Sequence, residues 1–240
     1  MDVGTRSRPA LRHTGQVVAR TGVRLVATAV CIVGLMWILG SLLVRGSVPS
    51  FVGRTDMQTT AWAVEHRTPT LDNLTHVGSM LADTVIAFAV TAMAVVILRL
   101  WLGRWRESLM LVVAIVGELL IFLAITATVH RARPAVPQLD QAPPTSSFPS
   151  GHTGVAVALY GCLAVILLRN VRPRWVAVSL ALLGSAIPIV VAASRVYRGM
   201  HYLTDVLAGA LASAIWITVV LVVLQDGGHR LKRAGRRNET

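Results

Sequence analysis

The 240-residue chain is 54% hydrophobic and only 14% charged, which is too apolar for an ordinary soluble domain of that length. Its 23 Lys and Arg against 11 Asp and Glu leave a net charge of +12. These cations are neither gathered on one face nor interleaved with stacking aromatics, so nucleic acid is excluded as a partner and a multi-span membrane protein remains.

Windows of about 20 apolar residues predict six spans. The first, 23–44, follows Arg6, Arg8, Arg12, Arg20 and Arg24. It is longer than the roughly 7–15-residue apolar region of a signal peptide, and no small-residue cleavage site follows it. After an outward connection at 45–76 comes the second span, 78–100. Arg99, Arg104 and Arg106, with Trp101 and Trp105, lead into the third, 108–129, which carries Glu118 near its middle. An intramembrane carboxylate is either functional or a protonated packing partner. Residues 135–148 are rich in Pro, Ser, Gln and Asp and form neither a strand nor a long helix. The fourth span, 152–168, is joined to the fifth, 176–193, by Arg169, Arg172, Arg174 and Trp175. The sixth, 203–224, is followed by Arg230, Lys232, Arg233, Arg236 and Arg237, in a tail expected to be disordered from Gly227.

Every second connection is therefore basic. The positive-inside rule puts both termini in the cytoplasm and turns 45–76, 130–151 and 194–202 outward. The expected architecture is an all-α, polytopic six-helix bundle. It comprises a basic cytoplasmic tail (1–22), one six-span domain (23–225) and a second basic tail (226–240). Cys31 and Cys162 lie inside spans and read as small buried hydrophobes.

Three polar clusters fall on the outward side: His130-Arg131-Ala132-Arg133-Pro134, Pro149-Ser150-Gly151-His152, and Ser194-Arg195 with His201 and Asp205. A phosphoryl-transfer site needs donors for the equatorial oxygens, an in-line nucleophile and a proton for the leaving oxygen. Arg133 and Arg195 offer guanidinium forks that match phosphate. Ser150 and the Gly151 amide open the fourth span, where free N–H groups attract anions. His201 and Asp205 lie one helical turn apart, so the carboxylate is expected to accept from one ring nitrogen and leave the other free to attack. His152 is then the general acid. No His-Glu-x-x-His pair accompanies these residues, so neither a metal nor any other cofactor is expected.

These clusters, Arg133-Pro134, then Pro149-Ser150-Gly151-His152, then Ser194-Arg195-x5-His201-x3-Asp205, closely resemble the three signature motifs of the type-2 phosphatidic acid phosphatase superfamily. The resemblance covers the second to the sixth span. It implies metal-independent removal of phosphate from lipid phosphates or pyrophosphates, with His201 as nucleophile through a phosphohistidine, His152 as acid and Asp205 as orienting carboxylate. Within that family, an isoprenoid pyrophosphate is slightly favoured over phosphatidic acid or phosphatidylglycerol phosphate. The chain departs from the pattern at Thr126, where the family usually has Lys. If the third helix runs to Arg133, then Thr126, His130 and Arg133 share a face, and His130 or Arg131 is the expected substitute cation. That departure keeps alive a reading of another class, a lipid-phosphate binding or transport protein with weakened catalysis.

Overall fold

The computed structural model describes the backbone of residues 8–237 and the side chains of residues 15–225. Among the described residues there is no strand. The helices, in chain order, are α1 (Arg8–Val44), α2 (Ser50–Glu65), α3 (Pro69–Met80), α4 (Thr84–Leu102), α5 (Arg106–Thr126), α6 (Gly151–Ala156), α7 (Cys162–Asn170), α8 (Arg174–Tyr197) and α9 (Leu203–Arg237). A π-helical turn, Val157–Gly161, joins α6 to α7, so the two act as one rod. Six stretches are long and apolar enough to cross a membrane: Gly15–Val44, Thr84–Leu102, Arg106–Thr126, Gly151–Asn170, Arg174–Tyr197 and Leu203–Gln225. The six expected spans are present, with ends shifted by local capping.

The largest shift is at the second span. Asp83 Oδ1 accepts from the Val85 N–H at 3.0 Å and starts α4 there, so residues 78–83 complete α3 and a turn. Gly103 closes α4 with a φ of +65°, the left-handed residue that ends many helices. The connection at 45–76 is also more ordered than the sequence reading expects, because it contains α2 and α3. At 16 and 12 residues, both fall below the roughly 20 needed to span a bilayer, and hydropathy windows pass over them. Thr68 Oγ1 accepts from Leu71 N–H at 3.2 Å, and Pro69 takes the first helical position of α3. The expectation of disorder from Gly227 is likewise corrected, since α9 continues to Arg237.

Beside a smaller cluster of Ala82, Ala156 and Val191, the main apolar core cluster buries Met36, Leu111, Ile125, Leu159, Cys162 and Val220. It joins α1, α5, the α6–α7 rod and α9. Cys31, by contrast, is exposed on the outside of α1. The α5–α9 contact depends on Gly117. A Cβ there would lie 2.0 Å from the Trp216 ring, whose indole N–H donates to Ala114 O at 3.0 Å. On the opposite side α3 packs on α8, and Tyr160 Oη in the π turn donates to Leu81 O at 2.7 Å. The α3–α4 junction is thereby fixed to the element that carries His152.

Candidate active site

The start of α9 organises the site. Asp205 is fully buried, where an unpaired carboxylate would be costly, and each of its oxygens is engaged. Arg131 Nη1 donates to Oδ1. The Ser147 hydroxyl and the Tyr202 N–H, the latter at 3.0 Å, donate to Oδ2. The Asp205 backbone carbonyl accepts from Ser150 N–H at 3.0 Å, which ties the Pro149–His152 motif to the same turn. Gly209, one turn on, permits this approach, because a Cβ there would lie 2.5 Å from the Ser150 carbonyl oxygen. The row Asp205, Gly209, Ser213 is thus the seam along which α9 meets the start of α6.

His201 lies just before that seam and is buried. Its Nδ1 is 2.7 Å from the Ser147 carbonyl oxygen and 3.8 Å from Asp205 Oδ2. The expected hydrogen bond to Asp205 is therefore not formed. The partner is a backbone carbonyl, and Asp205 contributes charge from just beyond hydrogen-bond range. Both neighbours of Nδ1 can only accept, so Nδ1 carries the proton and Nε2 carries the lone pair. Arg133 Nη1 lies 3.5 Å from Nε2 and donates to Met200 O at 2.8 Å. Burial pushes the His201 imidazole below its ordinary pKa, against the opposing pull of Asp205, which favours the neutral ring.

A cavity of about 470 Å³ is bordered by His201. Its polar lining includes Ser79, Asp83, Arg133, Asp140, His152 and Arg195. Its apolar lining includes Ala87 and Phe88 of α4, Ile115, Leu119 and Phe122 of α5, and Val155. Arg195, in the last turn of α8, is buried and donates from Nη1 to Ser79 Oγ at 2.8 Å and Asp140 Oδ2 at 3.0 Å. Burial also pulls the Arg133 guanidinium below its usual pKa.

Of the residues singled out from the sequence, Arg133, Gly151, His152, Arg195 and His201 border this cavity. Asp205 stands behind His201. Ser150 is buried, and its hydroxyl accepts from Thr153 Oγ1 at 3.0 Å, so its side chain serves the local turn, while Gly151 beside it borders the cavity. Gly151 is also required by packing, since a Cβ would lie 2.8 Å from Phe122.

Thr126, His130 and Arg131 do not border the cavity. The Thr126 hydroxyl donates to Phe122 O and Leu123 O of its own helix, and His130 is exposed. Arg131 is bound by Asp205 and by Asp56 Oδ2 at 2.8 Å, and packs 4.3 Å over the Tyr202 ring. It is a clasp between α2 and α9, since Asp56 also accepts from Thr204 N–H at 3.0 Å.

Sequence reasoning missed Asp56, Ser79, Asp140 and Ser147. Asp56 lies on a helix it read as a connection, Ser79 fell at the start of the predicted second span, and Ser147 acts chiefly through its carbonyl, which no side-chain motif records. Among the described residues, no group of three His, Cys, Asp or Glu converges as metal ligands.

The chain is 33% identical over 90 residues to an undecaprenyl-diphosphatase of Sulfolobus acidocaldarius, covering 38% of this chain and 39% of that protein. It is 32% identical over 110 residues to lipid phosphate phosphatase gamma of Arabidopsis thaliana, covering 42% and 47%. The chain thus spans less than half the length of these curated relatives. Its fold is similar to that of a transmembrane PAP2-type phosphatidylglycerolphosphate phosphatase from Bacillus subtilis, with a TM-score of 0.69, 21% identity and coverage of 78% of this chain and 93% of that one. It is also similar to Aquifex aeolicus LpxE, with a TM-score of 0.55, 21% identity and coverage of 71% and 94%. The PAP2 superfamily profile matches residues 107–228, half of the chain and all three polar clusters, and the chain is a multi-pass membrane protein that belongs to the PAP2 superfamily.

Proposed function

We propose that this protein is a membrane phosphatase that removes phosphate from a lipid phosphate or diphosphate at the extracytoplasmic face. The observation that carries the reading is the setting of the His201 ring. Its Nδ1 lies 2.7 Å from the Ser147 carbonyl oxygen, which assigns the proton there, and its Nε2 lies 3.5 Å from Arg133 Nη1, both residues bordering the cavity.

In the proposed reaction, Arg133, Arg195 and the Gly151 amide hold the phosphoryl oxygens and meet their charge. Nε2 of His201 attacks phosphorus in line as the bond to the leaving oxygen breaks, and His152, as imidazolium, gives that oxygen its proton. Neutral His152 then takes a proton from water. The water oxygen displaces the phosphoryl group from Nε2, releasing inorganic phosphate and restoring both histidines. Asp205 stabilises the positive charge that His201 carries in the phosphohistidine, and no metal enters the cycle.

The apolar residues that α4 and α5 contribute to the cavity lining suit a substrate with a hydrocarbon chain. The isoprenoid diphosphate class is favoured, with support from the relative named undecaprenyl-diphosphatase. Phosphatidic acid and phosphatidylglycerol phosphate are the alternatives. The outward orientation rests on the alternating arginine-rich connections. Assaying purified protein in detergent against isoprenoid diphosphates and glycerolipid phosphates tests the reading. Phosphate release that His201→Ala abolishes is expected, and inertness toward every lipid phosphate contradicts it. Thr126, where the family usually has Lys, keeps its hydroxyl on its own helix, and this favours a second reading, a protein that binds or transports lipid phosphates without turnover. In that case His201→Ala leaves lipid binding or transport intact.

A further inference from the structure

We propose that Asp140 is an internal competitor for the substrate's phosphate at Arg195, and that it sets how tightly the headgroup binds. This rests on the phosphatase reading above, in which Arg195 is a phosphate ligand. Asp140 lies in the irregular segment between α5 and α6 and borders the same cavity as Arg133, His152, Arg195 and His201. Its Oδ2 accepts from Arg195 Nη1 at 3.0 Å and from Arg198 Nε at 2.7 Å, and its Oδ1 accepts from Arg198 Nη2 at 2.6 Å. A carboxylate oxygen on a guanidinium N–H is the same kind of acceptor as a phosphate oxygen. An arginine needed for the substrate is thus already engaged by an anion of the protein itself.

The contacts are unequal. Arg198 grips Asp140 with two shorter bonds, and the segment is pinned again by Leu139 N–H to Arg198 O and Arg198 Nη2 to Leu139 O, both at 3.1 Å. The single 3.0 Å bond to Arg195 is the longest of the three carboxylate contacts. An incoming phosphate can therefore take the Arg195 Nη1 N–H, alongside the Nε N–H that has no partner among the described residues, without undoing the anchor on Arg198. Arg195 would stay held by Ser79 Oγ at 2.8 Å. Asp140 remains charged throughout. Burial alone would raise its carboxyl, but the bonds and charges of Arg198 and Arg195 outweigh this and hold it below the usual carboxylate range. Its negative charge therefore meets any phosphate that enters the cavity it borders.

The rival role is positioning, in which Asp140 holds the Arg195 guanidinium in place for the substrate. The two roles differ in sign. A competitor weakens anion binding, so its removal strengthens it, whereas removal of a positioning residue weakens it. Calorimetric titration of the full detergent-solubilised chain with orthovanadate reads that sign without knowledge of the lipid. Asp140→Asn keeps the side chain's size and an acceptor for Arg198, and Asp140→Ala removes both. Each is expected to bind orthovanadate about ten- to a hundredfold more tightly than the wild type, as expected when a unit charge is withdrawn a few ångströms from an anion at a partly shielded site. Unchanged or weaker binding by the variants overturns the competitor role alone. No binding by the wild type or either variant overturns the phosphatase reading and this proposal with it. Should both variants fail to fold, hydrogen exchange in the wild type decides. Orthovanadate is expected to speed exchange of the amides at 139–141, and slowed or unchanged exchange overturns the proposal.

Discussion

Asp205→Asn separates two ways in which this carboxylate could matter. If Asp205 acted mainly as a hydrogen-bond partner of His201, the substitution would reduce turnover and leave stability alone. The geometry instead makes it the junction of Arg131, Ser147 and the Tyr202 amide inside a fully buried pocket. Removing one partner of a buried ion pair costs about 3–5 kcal/mol. Arg131 keeps Asp56 at 2.8 Å, so the lower end, about 3 kcal/mol, is expected. For a chain of this size that corresponds to a fall in Tm of about 6–12 °C. Catalysis falls as well, because the imidazole becomes cationic in the intermediate and loses a negative charge 3.8 Å from Nδ1. A pair at that distance in a partly shielded site is worth up to about 4 kcal/mol, so a loss of about a hundredfold in kcat is reasonable. Thermal unfolding and turnover measured on the same detergent-solubilised sample test both numbers. An unchanged Tm with activity abolished would refute the junction argument and restore the direct hydrogen bond to His201.

Other outcomes follow from individual contacts. Gly209→Ala places a Cβ 2.5 Å from the Ser150 carbonyl oxygen. Overpacking of this kind costs about 1–3 kcal/mol and displaces the Gly151 amide, so a lower Tm and a lower kcat/KM are both expected. An unaltered kcat/KM would show that the amide is not used. Burial lowers the His201 pKa, and only the neutral ring attacks. The acidic limb of kcat/KM due to His201 should therefore lie below the ordinary histidine value of about 6.5, with activity lost as pH falls through it. By the same sign, protonation of His201 on unfolding erodes stability as pH falls below the unfolded-state value. A limb above 6.5 contradicts this. Arg133→Lys keeps the charge but loses the fork, so it should reduce kcat/KM by about ten- to a hundredfold while leaving the pH profile in place. Orthovanadate should inhibit and EDTA should have no effect in a phosphate-release assay, whereas strong inhibition by EDTA contradicts the metal-free cycle.

The sequence made the spans legible because lipid imposes a length and an apolarity that no loop matches. The positions of Arg133, His152, Arg195 and His201 around one cavity were legible for a related reason, in that polar types at fixed spacings beside span ends have few other arrangements available. α2 and α3 escaped because they are short and only partly apolar. Asp56 escaped with them, and with it the reason Arg131 is unavailable to substrate. The His201 partner was misassigned because side-chain spacing pointed to Asp205, while the nearer acceptor is a backbone carbonyl delivered by residue 147 from a segment without regular structure. The engagement of Arg195 by Asp140 was hidden for the same reason, since the fold of an irregular segment depends on tertiary contacts that local sequence does not specify.

The central claim is that Nε2 of His201 becomes phosphorylated. Mixing purified protein with a lipid phosphate labelled on the transferred phosphoryl group, quenching under alkaline conditions within the first turnover and mapping the modified peptide tests it directly. The account predicts an acid-labile, base-stable label on His201 that is absent from His201→Ala. A label on another residue, or undiminished phosphate release by His201→Ala, would contradict it.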